Sequence, residues 1–166
     1  MKLMQKLNNS TDTGFPCFIM LFSAIAFGLH FAWEYVQCAP FFRHIQNPPN
    51  LDAMISATLG DILMIWLVFL VMVVGHQSFT WFNGPWNLGS TLSIVGLSLF
   101  LAVLVELWAI RTERWAYTEN NPLVPILGIS ILPLMQMALI NPISMLGSRL
   151  ILTSLAGAKL YSKENV

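Results

Sequence analysis

A chain of 166 residues that is 56% hydrophobic and only 10% charged lies far from the soluble globular average, and its expected solvent is a bilayer. Eight basic and eight acidic side chains cancel, and Lys2 and Lys6 are too few to form a polybasic tail, so neither nucleic-acid binding nor electrostatic recruitment to a membrane surface is indicated. Each crossing needs about 20 mainly apolar residues. Four crossings therefore use up the chain, and residues 1–166 read as one integral membrane domain with no soluble domain beside it.

The first span is predicted over 15–37. It follows two lysines as a signal peptide would, but it is too long, carries His30 and Glu34, and lacks a small-residue cleavage site, so it is expected to remain as a span. Ala24, Gly28 and Ala32 recur every fourth residue, a spacing that lets helix backbones approach closely. Cys17 and Cys38 would lie about 30 Å apart along that helix, against a limit of roughly 7 Å between Cα atoms for a disulfide, so no bridge is expected. The first connection, 38–52, holds Pro40, Pro48 and Pro49, which forbid a continuous helix.

The second span is predicted over 53–74, with small residues at Ser56 and Gly60 and a buried acid at Asp61. Asn83, Gly84 and Pro85 mark the next connection as a turn, and Trp81, Phe82 and Trp86 around it read as an interfacial aromatic belt. The third span, 88–110, begins with Gly89 and Ser93 and carries Glu106 near its far end. A polar connection of Arg111, Glu113, Arg114, Trp115, Tyr117, Asn121 and Pro122 leads to a fourth span over 123–140. There Pro125 suits a first helical turn, and Pro133 is expected to kink the helix beside Gln136. The apolar segment 142–161, interrupted by Arg149, reads as an interfacial helix rather than a fifth span. With both termini inside, Lys2, Lys6, Arg149, Lys159 and Lys163 outnumber Arg43, Arg111 and Arg114 on the other face, so both termini are expected in the cytoplasm.

Lipid cannot satisfy a carboxylate, so His30, Glu34, Asp61 and Glu106 must find one another, water or a ligand. His30, Glu34 and Gln37 share one helical face. At about 1.5 Å per residue, His30 and Asp61 lie roughly 12 Å deep, and Glu34 and Glu106 roughly 6 Å deep, in the same leaflet. These four are the candidate catalytic residues, and His30 and Asp61 are expected within hydrogen-bonding or one-water distance. Trp33, Gln37, Arg111, Arg114, Trp115, Tyr117 and Gln136 are the candidate ligand-binding residues. His30 with Glu34 is not the Glu-x-x-His pair that di-iron bundles repeat, and His44 and His76 fall elsewhere, so no metal site is read. No phosphate-cradling glycine loop, Gly-x-Ser-x-Gly elbow or haem-attachment motif occurs, and no cofactor is expected.

Trp33-Glu34 with Gln37 and Pro40, Gly60-Asp61, Glu106, Arg114-Trp115-Ala116-Tyr117, then Pro122, Gly128, Pro133 and Gln136 form an ordered string. Over roughly 15–140 that string resembles a family of small, largely uncharacterised four-span bacterial inner-membrane proteins, which implies a location in the inner membrane and no particular chemistry. A looser similarity is to the membrane-embedded lycopene cyclase domains, which combine buried acids with a Trp-x-Tyr element and a proline-bearing helix. The Pro-x-Glu element of those enzymes is absent here. Four-helix sterol-isomerase-like proteins share the architecture, with a different motif order.

The expectation is an all-α integral membrane bundle of four helices with a polar cavity opening toward the first and third connections. Such a cavity suits a hydrophobic isoprenoid- or lipid-like molecule, bound or converted by acid–base chemistry, with indole faces available to a cationic group. The alternatives are a non-catalytic membrane subunit or assembly factor bound to a membrane protein partner, and a small transporter or proton pathway.

Overall fold

Four long helices cross in alternating directions: α1 (Gly14–Phe41), α2 (Leu51–His76), α3 (Leu88–Arg111) and α4 (Ile131–Glu164). The structure, a computed structural model, describes residues 14–43, 51–84 and 86–164, with the side chains of 15–43, 51–84 and 86–155. Each helix carries a stretch long and apolar enough to cross a bilayer, Phe15–Phe41, Leu51–His76, Leu88–Arg111 and Ile131–Leu155, and the protein is a multi-pass all-α bundle. The N-terminal lysines, Pro48, Pro49, His44 and Pro85 lie outside the described residues, as do the side chains of Lys159 and Lys163.

Because lipid is as apolar as leucine, burial inside such a bundle follows packing and polarity rather than hydrophobicity. On α3 the buried stripe is Ser90, Ile94, Ser98, Ala102, Glu106 and Ala109, one face at helical spacing that is richer in polar and small residues than the lipid face of Leu92, Phe100 and Leu104. The two halves of the interior differ. Toward the end that holds the 77–87 connection, Phe18, Phe22, Phe69 and Phe82 are fully buried, with ring centroids 5.8 Å apart for Phe18–Phe69 and 6.1 Å for Phe22–Phe69. Toward the other end the interior is polar.

Several expectations are corrected. The span expected over 123–140 begins only at Ile131 and continues without a break to Glu164, so 142–161 is not a separate interfacial helix. Arg149 sits six residues before Leu155, about 9 Å from the end of the apolar stretch, within the reach of a side chain that extends its charge toward the interface. Pro133 is the third residue of α4, where its missing N–H is one of the helix's unpaired donors anyway, so it interrupts no helical hydrogen bond. The interior proline is Pro142. Phe82 is no belt residue but part of the aromatic core, 1% exposed, while half-buried Trp81 stacks on His76 at 5.3 Å. The small residues Ala24, Gly28 and Ala32 lie exposed on α1, facing away from the other helices.

Residues 123–130, expected as helix, form a hairpin, β3 (Leu123–Val124) against β4 (Ile129–Ser130). Pro125 takes the second position of its turn, closed by Leu127 N–H to the Val124 carbonyl at 3.1 Å, and Gly128 supplies the left-handed residue at φ 65° that returns the chain. Pro-x-x-Gly between β-branched residues was the signal for it. A second ladder joins the first and third connections, β1 (Phe42–Arg43) with β2 (Ala116–Tyr117). The helix α1 runs through Pro40 to Phe41. Its last carbonyls are satisfied from the third connection: Pro40 O accepts from Thr118 Oγ1 at 2.8 Å, and Phe41 O accepts from Asn121 Nδ2 at 2.8 Å and from Thr118 N at 3.1 Å.

Candidate functional site

His30, Glu34 and Gln37 come from the late part of α1, Asp61 from the early part of α2, Glu106 from the late part of α3, and Gln136 from the second turn of α4. Antiparallel neighbours bring these stretches to one level. His30 Nδ1 lies 3.2 Å from Asp61 Oδ2, the approach expected from equal depth.

A chain of side-chain amides fixes which atoms donate. Trp33 Nε1 can only donate, and its 2.8 Å bond identifies Gln37 Oε1 as the acceptor. Gln37 Nε2 then donates to Glu34 Oε1 at 2.7 Å and to Gln136 Oε1 at 3.0 Å. That assigns Gln136 Nε2 as the donor to Asp61 Oδ2 at 2.8 Å and to His30 Nδ1 at 2.9 Å. His30 Nδ1 has a single in-plane lone pair, so while it accepts from Gln136 it has none for Asp61, and the 3.2 Å contact becomes a hydrogen bond only when a proton lies between Nδ1 and Oδ2 and Gln136 donates to Asp61 alone. This is an acid–base pair held in register by one glutamine. His30 is fully buried, and its Nε2 has no hydrogen-bond partner.

Glu106, 2% exposed, belongs to a second network. The Tyr117 hydroxyl donates to Glu106 Oε2 and accepts from the Ser130 N–H at 3.0 Å. Burial, and next the Glu106 carboxylate that its proton bonds, push the Tyr117 phenol well above the ordinary tyrosine range, so it stays a donor. Ser130 Oγ in turn accepts from Leu132 N at 3.2 Å, as an N-cap of α4 does. The Trp115 indole N–H is buried close to Glu106 without meeting hydrogen-bond geometry.

Between the networks lies a cavity of about 410 Å³, within the roughly 300–1,000 Å³ span of small-molecule sites. Glu34, Gln37, Asp61, Glu106 and Gln136 supply its polar wall, and Phe42, Met64, Trp108, Trp115, Pro133 and Met137 much of its apolar one. Arg114 stands at its exposed rim with its guanidinium 5.1 Å from the Trp108 ring centre. No match to this chain is found among protein-family models, curated proteins or solved structures.

The other predicted residues have different places. His30, Trp33 and Tyr117 are not on the cavity wall; each holds or orients a residue that is. Arg111 is exposed at the end of α3 and lies away from the cavity. Ser130, Cys38 and Asn121 escaped the sequence analysis as site residues. Cys38 is a buried cysteine on the wall, Asn121 bonds the Phe41 carbonyl through its side-chain amide, and Ser130 bonds the Tyr117 hydroxyl through its backbone N–H, contacts that no side-chain motif announces. Among the described residues no set of three His, Cys, Asp or Glu side chains is arranged to hold a metal ion.

Proposed function

We propose that this is an inner-membrane protein whose cavity binds a hydrophobic small molecule of the isoprenoid or lipid class and converts it by proton transfer. The observation that carries this reading is the 3.2 Å contact of His30 Nδ1 with Asp61 Oδ2 at the wall of a ligand-sized cavity at membrane depth. Asp61 presents the proton to the cavity, with His30 behind it as the group that takes or returns it. Glu34 and Glu106, each with one oxygen held by a protein donor, are the complementary acceptors. Trp108 and Trp115 offer indole faces to positive charge developing on the ligand.

Gentle extraction into a native-lipid particle, followed by mass spectrometry, tests this. A lipid or pigment retained in stoichiometric amount is expected. A protein retained in stoichiometric amount with no small molecule would instead make this chain a membrane subunit whose buried charges set helix registry.

The resemblance of the ordered motifs supports the inner membrane, and the basic-residue bias supports cytoplasmic termini. Reporter fusions at the C-terminus and near Asn87 are expected to report the same, cytoplasmic, side. Opposite sides would break the four-span topology.

A further inference from the structure

The wall of the cavity is incomplete at membrane depth. Ser56, Ala57 and Gly60 of α2 line it, and all three are exposed. A Cβ placed on Gly60 meets no atom within 4 Å. Gly60 lies nine residues into α2, about 13 Å along the helix from Leu51, a depth at which an opening beside α2 meets acyl chains rather than water. The end facing the connections has its exposed rim at Arg114. There the β1–β2 ladder holds Phe42 edge-on to Trp115, with ring centres 6.3 Å apart.

The polar wall has a definite character. Three carboxyl groups face the space, from Glu34, Asp61 and Glu106. Nearby, His30 faces Asp61, and the guanidinium of Arg114 lies over Trp108 at the rim. A carboxyl group has more lone pairs than the protein donors fill, so the site is rich in acceptors. An anionic head group would meet three acids, and an alcohol brings one donor. An ammonium brings three donors and the complementary charge.

We propose that a single-chain amphiphile with an amine head enters the cavity sideways from the bilayer, between α2 and α3, its nitrogen among Glu34, Asp61 and Glu106 and its chain trailing past Gly60. The inference rests on the function proposed above and names the ligand class of the same site. The amine arrives as the uncharged base, the form that hydrocarbon tolerates. One carboxyl O–H bond then breaks as one N–H bond forms, leaving an ammonium–carboxylate pair with no change in total charge.

The test uses the full chain in phosphatidylcholine nanodiscs and three photoactivatable probes, hexadecylamine, hexadecanol and hexadecanoic acid, each with a diazirine a few carbons from the head group. The amine is expected to label residues of α2 and α3 around Gly60 about tenfold more than the acid does, the scale of a charge-assisted hydrogen bond gained. Gly60→Phe fills the gap without touching protein at its Cβ, so it should keep helix content and melting while losing most of this labelling. Ala57→Phe, one turn away, serves the same purpose should Gly60→Phe fold poorly. Equal labelling by all three probes overturns the head-group assignment, and undiminished labelling of a folded doorway variant overturns the lateral route. If no probe labels the cavity but extraction yields a bound molecule, the amine inference fails and the proposed function stands. If neither happens, both fail.

Discussion

Gln136→Leu is expected to be the most destabilising single substitution in the polar half of the bundle. Leucine has a similar volume, so packing is largely kept, but Asp61 Oδ2, His30 Nδ1 and Gln37 Nε2 each lose a partner at once. Each keeps one other contact, His30 Nδ1 with Asp61 Oδ2 and Gln37 Nε2 with Glu34 Oε1, so each loss is that of one hydrogen bond, worth about 0.5–1.5 kcal/mol in soluble proteins. Measured interhelical hydrogen bonds in membranes average only about 0.6 kcal/mol, because the chain unfolded within the bilayer finds other partners. Three losses between these limits give about 2–5 kcal/mol. Asn141→Leu supplies the internal standard, because it removes one buried bond, Asn141 Nδ2 to Ser98 Oγ at 2.8 Å, between α4 and α3. Unfolding of the purified protein in mixed micelles, followed by tryptophan fluorescence, should rank Gln136→Leu well below Asn141→Leu. Equal losses would show that Gln136 is no hub.

Glu34→Gln and Glu106→Gln should separate chemistry from architecture. A glutamine carbonyl can still accept from Gln37 Nε2 at position 34 and from the Tyr117 hydroxyl at position 106, so the local bonds survive while the exchangeable proton and the charge are removed. Both variants are expected at normal abundance in the membrane, with turnover of the molecule recovered on extraction reduced by about 10²–10⁴-fold, the usual contribution of a positioned general acid or base. If these acids serve only as structural pairs, removing one leaves its partner uncompensated, and abundance falls with a loss of several kcal/mol. Normal abundance with full turnover would remove both residues from the functional site.

Much of the site was legible because the bilayer makes ionisable residues conspicuous. His30, Glu34, Asp61 and Glu106 stand out against apolar runs, and the depth calculation placed His30 level with Asp61, where they meet at 3.2 Å. Gln136 was legible as a polar residue in a span, but not as the link between α1 and α2. That role depends on the direction in which α4 enters the bundle, which follows from the hairpin over 123–130 rather than from hydropathy. The hairpin itself was read as helix because its residues are apolar enough to continue a span. Pro125 and Gly128 override that tendency through backbone geometry alone.

The amino-acid sequence by itself determined that the chain lives in a bilayer, that it crosses four times, and that one end of the bundle carries acids which must be paired. Hydrophobic length and the cost of burying charge are properties of local sequence, and neither needs a fold to be evaluated. The tertiary structure alone decided which faces turn inward. Ala24, Gly28 and Ala32 look like a packing stripe but face away from the bundle, whereas Ser56 and Gly60, equally small, border an open cavity. In lipid both faces of a helix can be apolar, so periodicity carries little information about which face is buried. The donors and acceptors that lock one helix against the next decide it.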